Sequence, residues 1–418
     1  SEMCIRDRSG ARKSSGSFYT PDFAVEHILD GALENALDDH LKKMSELSQA
    51  DCAEQFFNFK VADIAMGSGH FLVAAIDRIE RRFAVWLNDN PNPAIQREIM
   101  YLRTAAHKEM GDLSDTVVIE DSQLLRRIIA RKCIYGVDLN PITVQLARLS
   151  IWIHTFVPGL PLSLLDHNLV NGNALVGIDS LDVVRNKFNT SIGTLFQVDT
   201  EKLIGEAADP LKKLAKLSDA TLKDIKEGRA LLKEALEKIK ETEALCDLII
   251  AQPVSEDQNL KNVLFEDWEN LRKNILVSDS LKAAKKILNP LKVLHFPIAF
   301  PEVFLGKSSG FNVILGNPPW EEIKAEERDY WTGLFPGLRG LSQKDQIEKF
   351  SELSSKRPDL RKRWLDIESA TKNLARILKS GNLSLSNVVI SFGPISKANS
   401  APSTVVLFIN FSFASLYK

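Results

Sequence analysis

Asp63-Ile64-Ala65-Met66-Gly67-Ser68-Gly69-His70-Phe71-Leu72 is the stretch whose reading decides the fold. A short apolar segment, Phe59 to Ala65, runs into Gly67-Ser68-Gly69. A helical pattern follows, with Phe71, Leu72, Ala75, Ile76 and Ile79 on one face. Strand, glycine turn and helix open a βαβ unit. Glycines at such a turn let a ligand approach the backbone, and the helix N-terminus adds partial positive charge. Taken alone, the string also fits a plain tight connection. It is not a dinucleotide fingerprint, because Leu72 stands where G-x-G-x-x-G needs its third glycine. The sequence has no G-x-x-x-x-G-K-[ST] string, which argues against a P-loop.

Upstream, residues 1–16 read as a polar lead-in, and Pro21 to Leu47 carry a helical period. Downstream, residues 86–131 read as a polar helical insertion. A second strand, Cys133 to Val137, ends in Asp138-Leu139-Asn140-Pro141. The apolar helix after it, Ile142 to Phe156, is expected to pack on a sheet, and a third strand is expected around Leu169 and Val170. Residues 201–290 mix 16 basic with 17 acidic side chains, so they read as an antiparallel helical pair with solvated outer faces. A strand at Phe311 to Leu315 leads into Gly316-Asn317-Pro318-Pro319-Trp320, and residues 321–380 read as charged helices. From Gly381 the only charges are Lys397 and Lys418, and the tail 381–418 reads as irregular.

Composition excludes little else. The 418 residues carry 53 Lys+Arg against 55 Asp+Glu, a formal charge of −2, and 44% are hydrophobic. That is ordinary for a globular protein and unlike a disordered or collagen-like chain. The near-zero charge gives no general reason to expect nucleic acid, so such a partner must be argued from sites. No apolar run is long enough for a membrane span. Cys4, Cys52, Cys133 and Cys246 are scattered and form no C-x-x-C pair. Neither a disulfide framework nor a metal site is expected, and a cytoplasmic location is.

Two further strings carry chemistry. A carboxylate at the end of a second strand, here Asp138, can accept both hydroxyls of a ribose. It follows Gly67 by 71 residues rather than the usual 20 or so, which the helical insertion explains. The competing role for Asp138 is a helix cap. In Asn317-Pro318-Pro319-Trp320 the prolines make a rigid turn that does not donate, so carbonyls are freed. The Asn317 oxygen and the Pro318 carbonyl can together accept both hydrogens of one exocyclic amine. Trp320 offers a face on which a base can stack. The competing reading is a proline turn with a surface Trp. All three strings close successive strands, where an open α/β sheet binds its ligands.

Together with Gly16-Ser17-Phe18-Tyr19-Thr20-Pro21 and Gly172-Asn173-Ala174-Leu175, these strings resemble, in order, the motifs of adenine-specific (N6) DNA methyltransferases in the gamma arrangement. His295 to Phe304 is similar to the fused restriction–modification (type IIG-like) group, and the likeness runs over about residues 16 to 380. The resemblance implies a Rossmann-like class I methyltransferase sheet with large α-helical insertions. The cofactor-binding part would span 17–200, the helical insertion 201–290, and the catalytic strand with its following helices 291–380.

The resemblance also implies residue roles. Tyr19, Thr20 and Pro21 would lie near the methionine end of S-adenosylmethionine. Asp63, Gly67 and Gly69, with Phe71, would line its amino-acid portion. Asp138 would hold the ribose, with Leu139 against the adenine and Asn173 and Ala174 at the adenine edge. Asn317, Pro318, Pro319 and Trp320 would hold a flipped adenine of double-stranded DNA. A nuclease domain or subunit outside this chain is a further expected partner. Ile64 and Met66 stand where the family often has Pro and Cys. The tail does not resemble the family's continuation into more strands and a recognition domain, so the chain reads as partial, with an incomplete sheet. Cytosine-N4 transfer and a cofactor-binding fragment without turnover are the alternatives. Carbon-5 cytosine chemistry is excluded, since it needs a Cys beside a Pro.

Overall fold

The computed structural model describes residues 20–112, 116–192, 204–262, 268–305, 310–317, 325–379 and 405–406. Its centre is one parallel sheet of β1 (Val61–Asp63), β2 (Ile134–Asp138), β3 (Leu169–Asn171), β4 (Val313–Leu315) and β5 (Val405–Val406), in the order β3-β2-β1-β4-β5. Asp63 pairs in register with Gly136 and Leu315, and Asp138 with Asn171. All four motif-bearing strands therefore end at one edge of the sheet.

The helices around it are α1 (Asp22–Glu46), α2 (His70–Asp89), α3 (Pro93–Met110), α4 (Asp121–Cys133) and α5 (Pro141–His154). The insertion adds α6 (Ala208–Lys216), α7 (Leu222–Lys238), α8 (Lys240–Ala251) and α9 (Asp279–Leu288). Beyond β4 come α10 (Gln343–Lys356) and α11 (Pro358–Lys379). This is an α/β methyltransferase type of sheet carrying helical insertions, as the sequence leads one to expect.

Side chains alternate across the strands and divide the core into layers. Val61, Ile134, Val313 and Leu315 face the helical layer with Leu29, Leu33, Leu72, Ile76 and Ala147. Ala62, Ile64, Tyr135, Val137 and Ile314 face the other way, onto Phe296, Phe300, Val303 and Phe311. The segment His295 to Phe304 is thus an aromatic floor. Tyr135 and Phe311 both pack edge-on against Phe300.

Helix α1 is fixed by a ladder of charge. Glu26, Asp30, Glu34 and Asp38 recur every four residues, one helical turn apart. Arg78 of α2 takes Glu26, Asp30 and Glu34, and Arg82 takes Glu34 and Asp38. These pairs and the buried Val25, Leu29, Leu33 and Leu37 hold the start of α1 beside the sheet edge.

The structure corrects several boundaries. The expected strand from Phe59 to Ala65 pairs only over Val61–Asp63, and that from Phe311 to Leu315 only over Val313–Leu315. The apolar runs mark burial, which extends beyond hydrogen-bonded pairing. Cys133 ends α4 rather than opening β2. Helix α5 buries only Val144, Ala147 and Ile151. Ile142 (68% exposed), Leu146, Leu149 and Ile153 (61% exposed) line its outer face. The insertion is more than a solvated pair, because α8 is buried at every position from Ala244 to Ala251 and centres a second core with Ile239, Leu281 and Leu288. Within the tail expected to be irregular, Val405 and Val406 pair with Val313 and Ile314 as a fifth strand. Among the described residues no helix is long and apolar enough to cross a membrane.

Candidate active site

The turn after β1 needs its glycines. Gly67 has φ 53 and Gly69 φ 85, both in the left-handed region. A Cβ on Gly69 would also lie 3.3 Å from the Cβ of Ala147, so the glycine lets α2 approach α5 closely. The Gly69 carbonyl accepts from Val73 N and opens α2.

Asp63 is fully buried at the end of β1. Its Oδ1 accepts from Ala65 N at 3.0 Å, while Oδ2 is sealed from solvent with no hydrogen-bond partner. Burial pushes the carboxyl up from 3.8 to about 7, with the nearby Asp138 charge adding to the rise and the Ala65 bond opposing it.

Asp138 joins this turn to β2. Its Oδ2 accepts from Gly67 N at 2.9 Å. Its Oδ1 accepts from Asn140 N at 2.8 Å and Thr143 Oγ1 at 2.6 Å. Oδ2, with Gly67 N as its one donor among the described residues, keeps acceptor capacity. Asn140, not Asp138, caps α5, accepting from Ile142 N at 3.0 Å ahead of Pro141. Sequence reasoning did not single out Thr143; a hydroxyl five residues after a strand-end carboxylate is the only signal it gave.

The loop after β3 closes on the same place. The Asp138 carbonyl accepts from Gly172 N at 3.0 Å and Asn171 Nδ2 at 2.8 Å. Asn173 turns its Oδ1 back to Leu175 N at 3.1 Å, and Ala174 packs partly buried against the aromatic floor. Leu139 is 53% exposed beside them. Phe71 instead points into the helical core, 5% exposed.

The neighbouring strand, β4, delivers Asn317. Its Nδ2 donates to Thr20 Oγ1 at 3.2 Å, across 297 residues of chain, and Thr20 is buried. Pro21 is the cap of α1, and Asp22 lies 3.1 Å from His70 at the start of α2. The start of α1, the start of α2 and the end of β4 thus converge. Tyr19, Pro318, Pro319 and Trp320 lie outside the described residues.

The site therefore has two connected parts. Gly67, Asp138, Leu139 and Asn173 form one, and Thr20 with Asn317 the other, on adjacent strands. Among the described residues no group of three His, Cys, Asp or Glu side chains could hold a metal ion. The basic residues Lys356, Arg357 and Arg361 at the junction of α10 and α11 are paired with acidic neighbours. Lys356 pairs with Glu352, Arg357 with Asp359 and Arg361 with Glu327, leaving Lys362 and Arg363 exposed.

The parallel sheet thus carries a glycine turn, a strand-end carboxylate and Asn317 at the ends of adjacent strands. The model of the Eco57I restriction-modification methylase matches residues 132–360, just over half of the chain. The chain belongs to this family. A Methanocaldococcus jannaschii protein named as a type II restriction enzyme and methyltransferase is 24% identical over 382 residues. The likeness covers 75% of this chain and 28% of that protein, so the chain spans little more than a quarter of its relative's length. No solved structure matches. The family match begins at the last two residues of α4 and so includes β2, the insertion and β4. The turn after β1 and the Thr20 segment precede it.

Proposed function

We propose that this chain transfers a methyl group from S-adenosylmethionine to the exocyclic N6 amine of an adenine flipped out of double-stranded DNA. It would be the modification part of a restriction–modification system, with nuclease activity supplied by a separate domain or subunit. The observation that carries this reading is the placement of Asn317 one strand from Asp63, at the edge where Gly67, Asp138 and Asn173 also gather.

The cofactor fits these residues. The orphaned, buried Oδ2 of Asp63 is suited to an ammonium group such as that of the cofactor's amino acid. The remaining acceptor capacity of Asp138 Oδ2 is suited to a ribose hydroxyl. S-adenosylmethionine, when bound, supplies an already activated methyl group, so the protein's task is chiefly positioning. Asn317 and the Pro318 carbonyl accept the hydrogens of the target amine and turn its lone pair toward the incoming carbon. Thr20 holds the far side of the Asn317 amide.

Calorimetry with S-adenosylmethionine and incorporation of labelled methyl into DNA test this together. Asn317→Ala should abolish incorporation and leave cofactor affinity nearly intact, whereas Asp138→Ala should weaken the cofactor first. Equal loss of both in Asn317→Ala would mean the site is misassigned. Nucleoside analysis of the product separates N6-methyladenine from N4-methylcytosine. Cofactor binding without incorporation would restrict the reading to a cofactor-binding module.

A further inference from the structure

Lys292 belongs to none of the motif strings. It follows the last turn of the helical insertion and precedes the aromatic floor. Its backbone sits at φ 50 and ψ 47, and among the described residues it is the one non-glycine with positive φ. L side chains enter this region at a cost, and glycine is the ordinary choice there. The side chain at this position therefore does something glycine could not.

What it does is reach across the site. Lys292 Nζ donates to the Leu139 carbonyl at 3.0 Å. The left-handed turn aims the Lys292 carbonyl at Asn173 N, 2.7 Å away, and Asn173 then bridges to Val293 in parallel. One residue is thus bonded to the loop after β2 and to the loop after β3. Those loops are also joined at the Asp138 carbonyl, and Lys292 adds a second tie one residue further along each of them.

We infer that Lys292 is a positioning residue for the cofactor, holding Leu139 and Asn173 at the separation that the adenine ring occupies. The inference rests on the proposed function, in which these two residues flank that ring. It gives the insertion a part in cofactor binding, because the chain reaches Lys292 only by way of the insertion.

Three variants separate this role from a structural one, each measured by calorimetry with S-adenosylmethionine and by thermal unfolding of the unliganded protein. Lys292→Gly adopts the backbone freely, so its melting temperature should hold or rise, yet its dissociation constant should increase roughly fivefold, the loss of one exposed charge-assisted bond. Lys292→Met keeps the apolar stem and should lose the same affinity. Lys292→Arg should restore most of it. Wild-type affinity in both the Gly and the Met variants would overturn the inference while leaving the proposed function standing. Affinity lost only in step with melting temperature would assign Lys292 a structural role instead. A wild-type protein that binds no S-adenosylmethionine would overturn the proposed function, and this inference with it.

Discussion

Asp63 Oδ2 is a buried carboxylate oxygen without a donor, and its consequence can be measured through protons. The carboxyl titrates near 7 rather than 3.8, so between those values the folded protein holds a proton that the unfolded chain releases. Folding stability from this group therefore falls as pH rises through that window. An ammonium group placed against Oδ2 favours the ionised form, so cofactor binding should expel the proton. Affinity for S-adenosylmethionine should then rise with pH below about 7, by up to about tenfold per unit, and level off above it. Calorimetry at pH 6.5 in buffers of different ionisation enthalpy should register the released proton. Asp63→Asn should remove both the release and the slope; a slope that persists in this variant would place the titrating group elsewhere. The sequence disclosed the position of Asp63 through the glycine turn beside it. It did not disclose that Asp138 spends most of its acceptor capacity on Gly67, Asn140 and Thr143, because those bonds depend on loop geometry and not on residue type.

Among elements, the stretch from Asn173 to Ile178 runs beside Val293 to Phe296 without forming a regular strand pair. Leu294 N donates to the Val176 carbonyl and Phe296 N to the Ile178 carbonyl, both at 2.9 Å. The ring of His295 accepts from Ile178 N and meets Asp247 of α8 at 3.1 Å. Gly177 makes this approach possible: it has φ 146, and a Cβ there would fall 1.8 Å from the Leu294 carbonyl oxygen. Backbone cannot swing aside as a flexible side chain can. Gly177→Ala should therefore cost about 3 kcal/mol or more, at the upper end for overpacking, read as a lowered denaturation midpoint. Legible from sequence were α1, α2 and the places of four strands along the chain. The irregular pairing at Gly177 was not, since its partners are 117 residues apart and neither segment alternates. Apolar content also showed that α5 packs on the sheet, but not that Val144, Ala147 and Ile151 alone would be its buried face.

Across the whole molecule, the insertion is anchored to the methyltransferase core by a buried ion pair. Arg127 of α4 and Asp219, between α6 and α7, meet at 3.0 Å, with Arg127 also donating to the Pro161 carbonyl at 2.7 Å. Burial alone would raise the Asp219 carboxyl, but the Arg131 and Arg127 charges outweigh it and hold the group below its usual range. Its stabilising contribution is thus complete above pH 4 or so and lost as pH falls below that value. Asp219→Ala would leave Arg127 buried and unpaired and should cost about 3–5 kcal/mol at pH 7, with the deficit shrinking in acid. A pH-independent deficit in chemical denaturation would show that the charge is not what matters. This anchor was invisible in the sequence, where Asp219 is one of 17 acidic residues in a mixed run. The same insertion lies within the gap between the two central strands. Val61 pairs in register with Val313, and the bond from Lys60 N to Asn312 beside them closes a separation of 252 residues. A ribosome elongating at 5–20 residues per second would need roughly 10–50 s to cover that distance. Once β2 has been made, and until β4 follows, the nascent β1 has β2 on one side and an open hydrogen-bonding edge on the other. The emerging chain must keep that edge from pairing with a neighbour until β4 arrives.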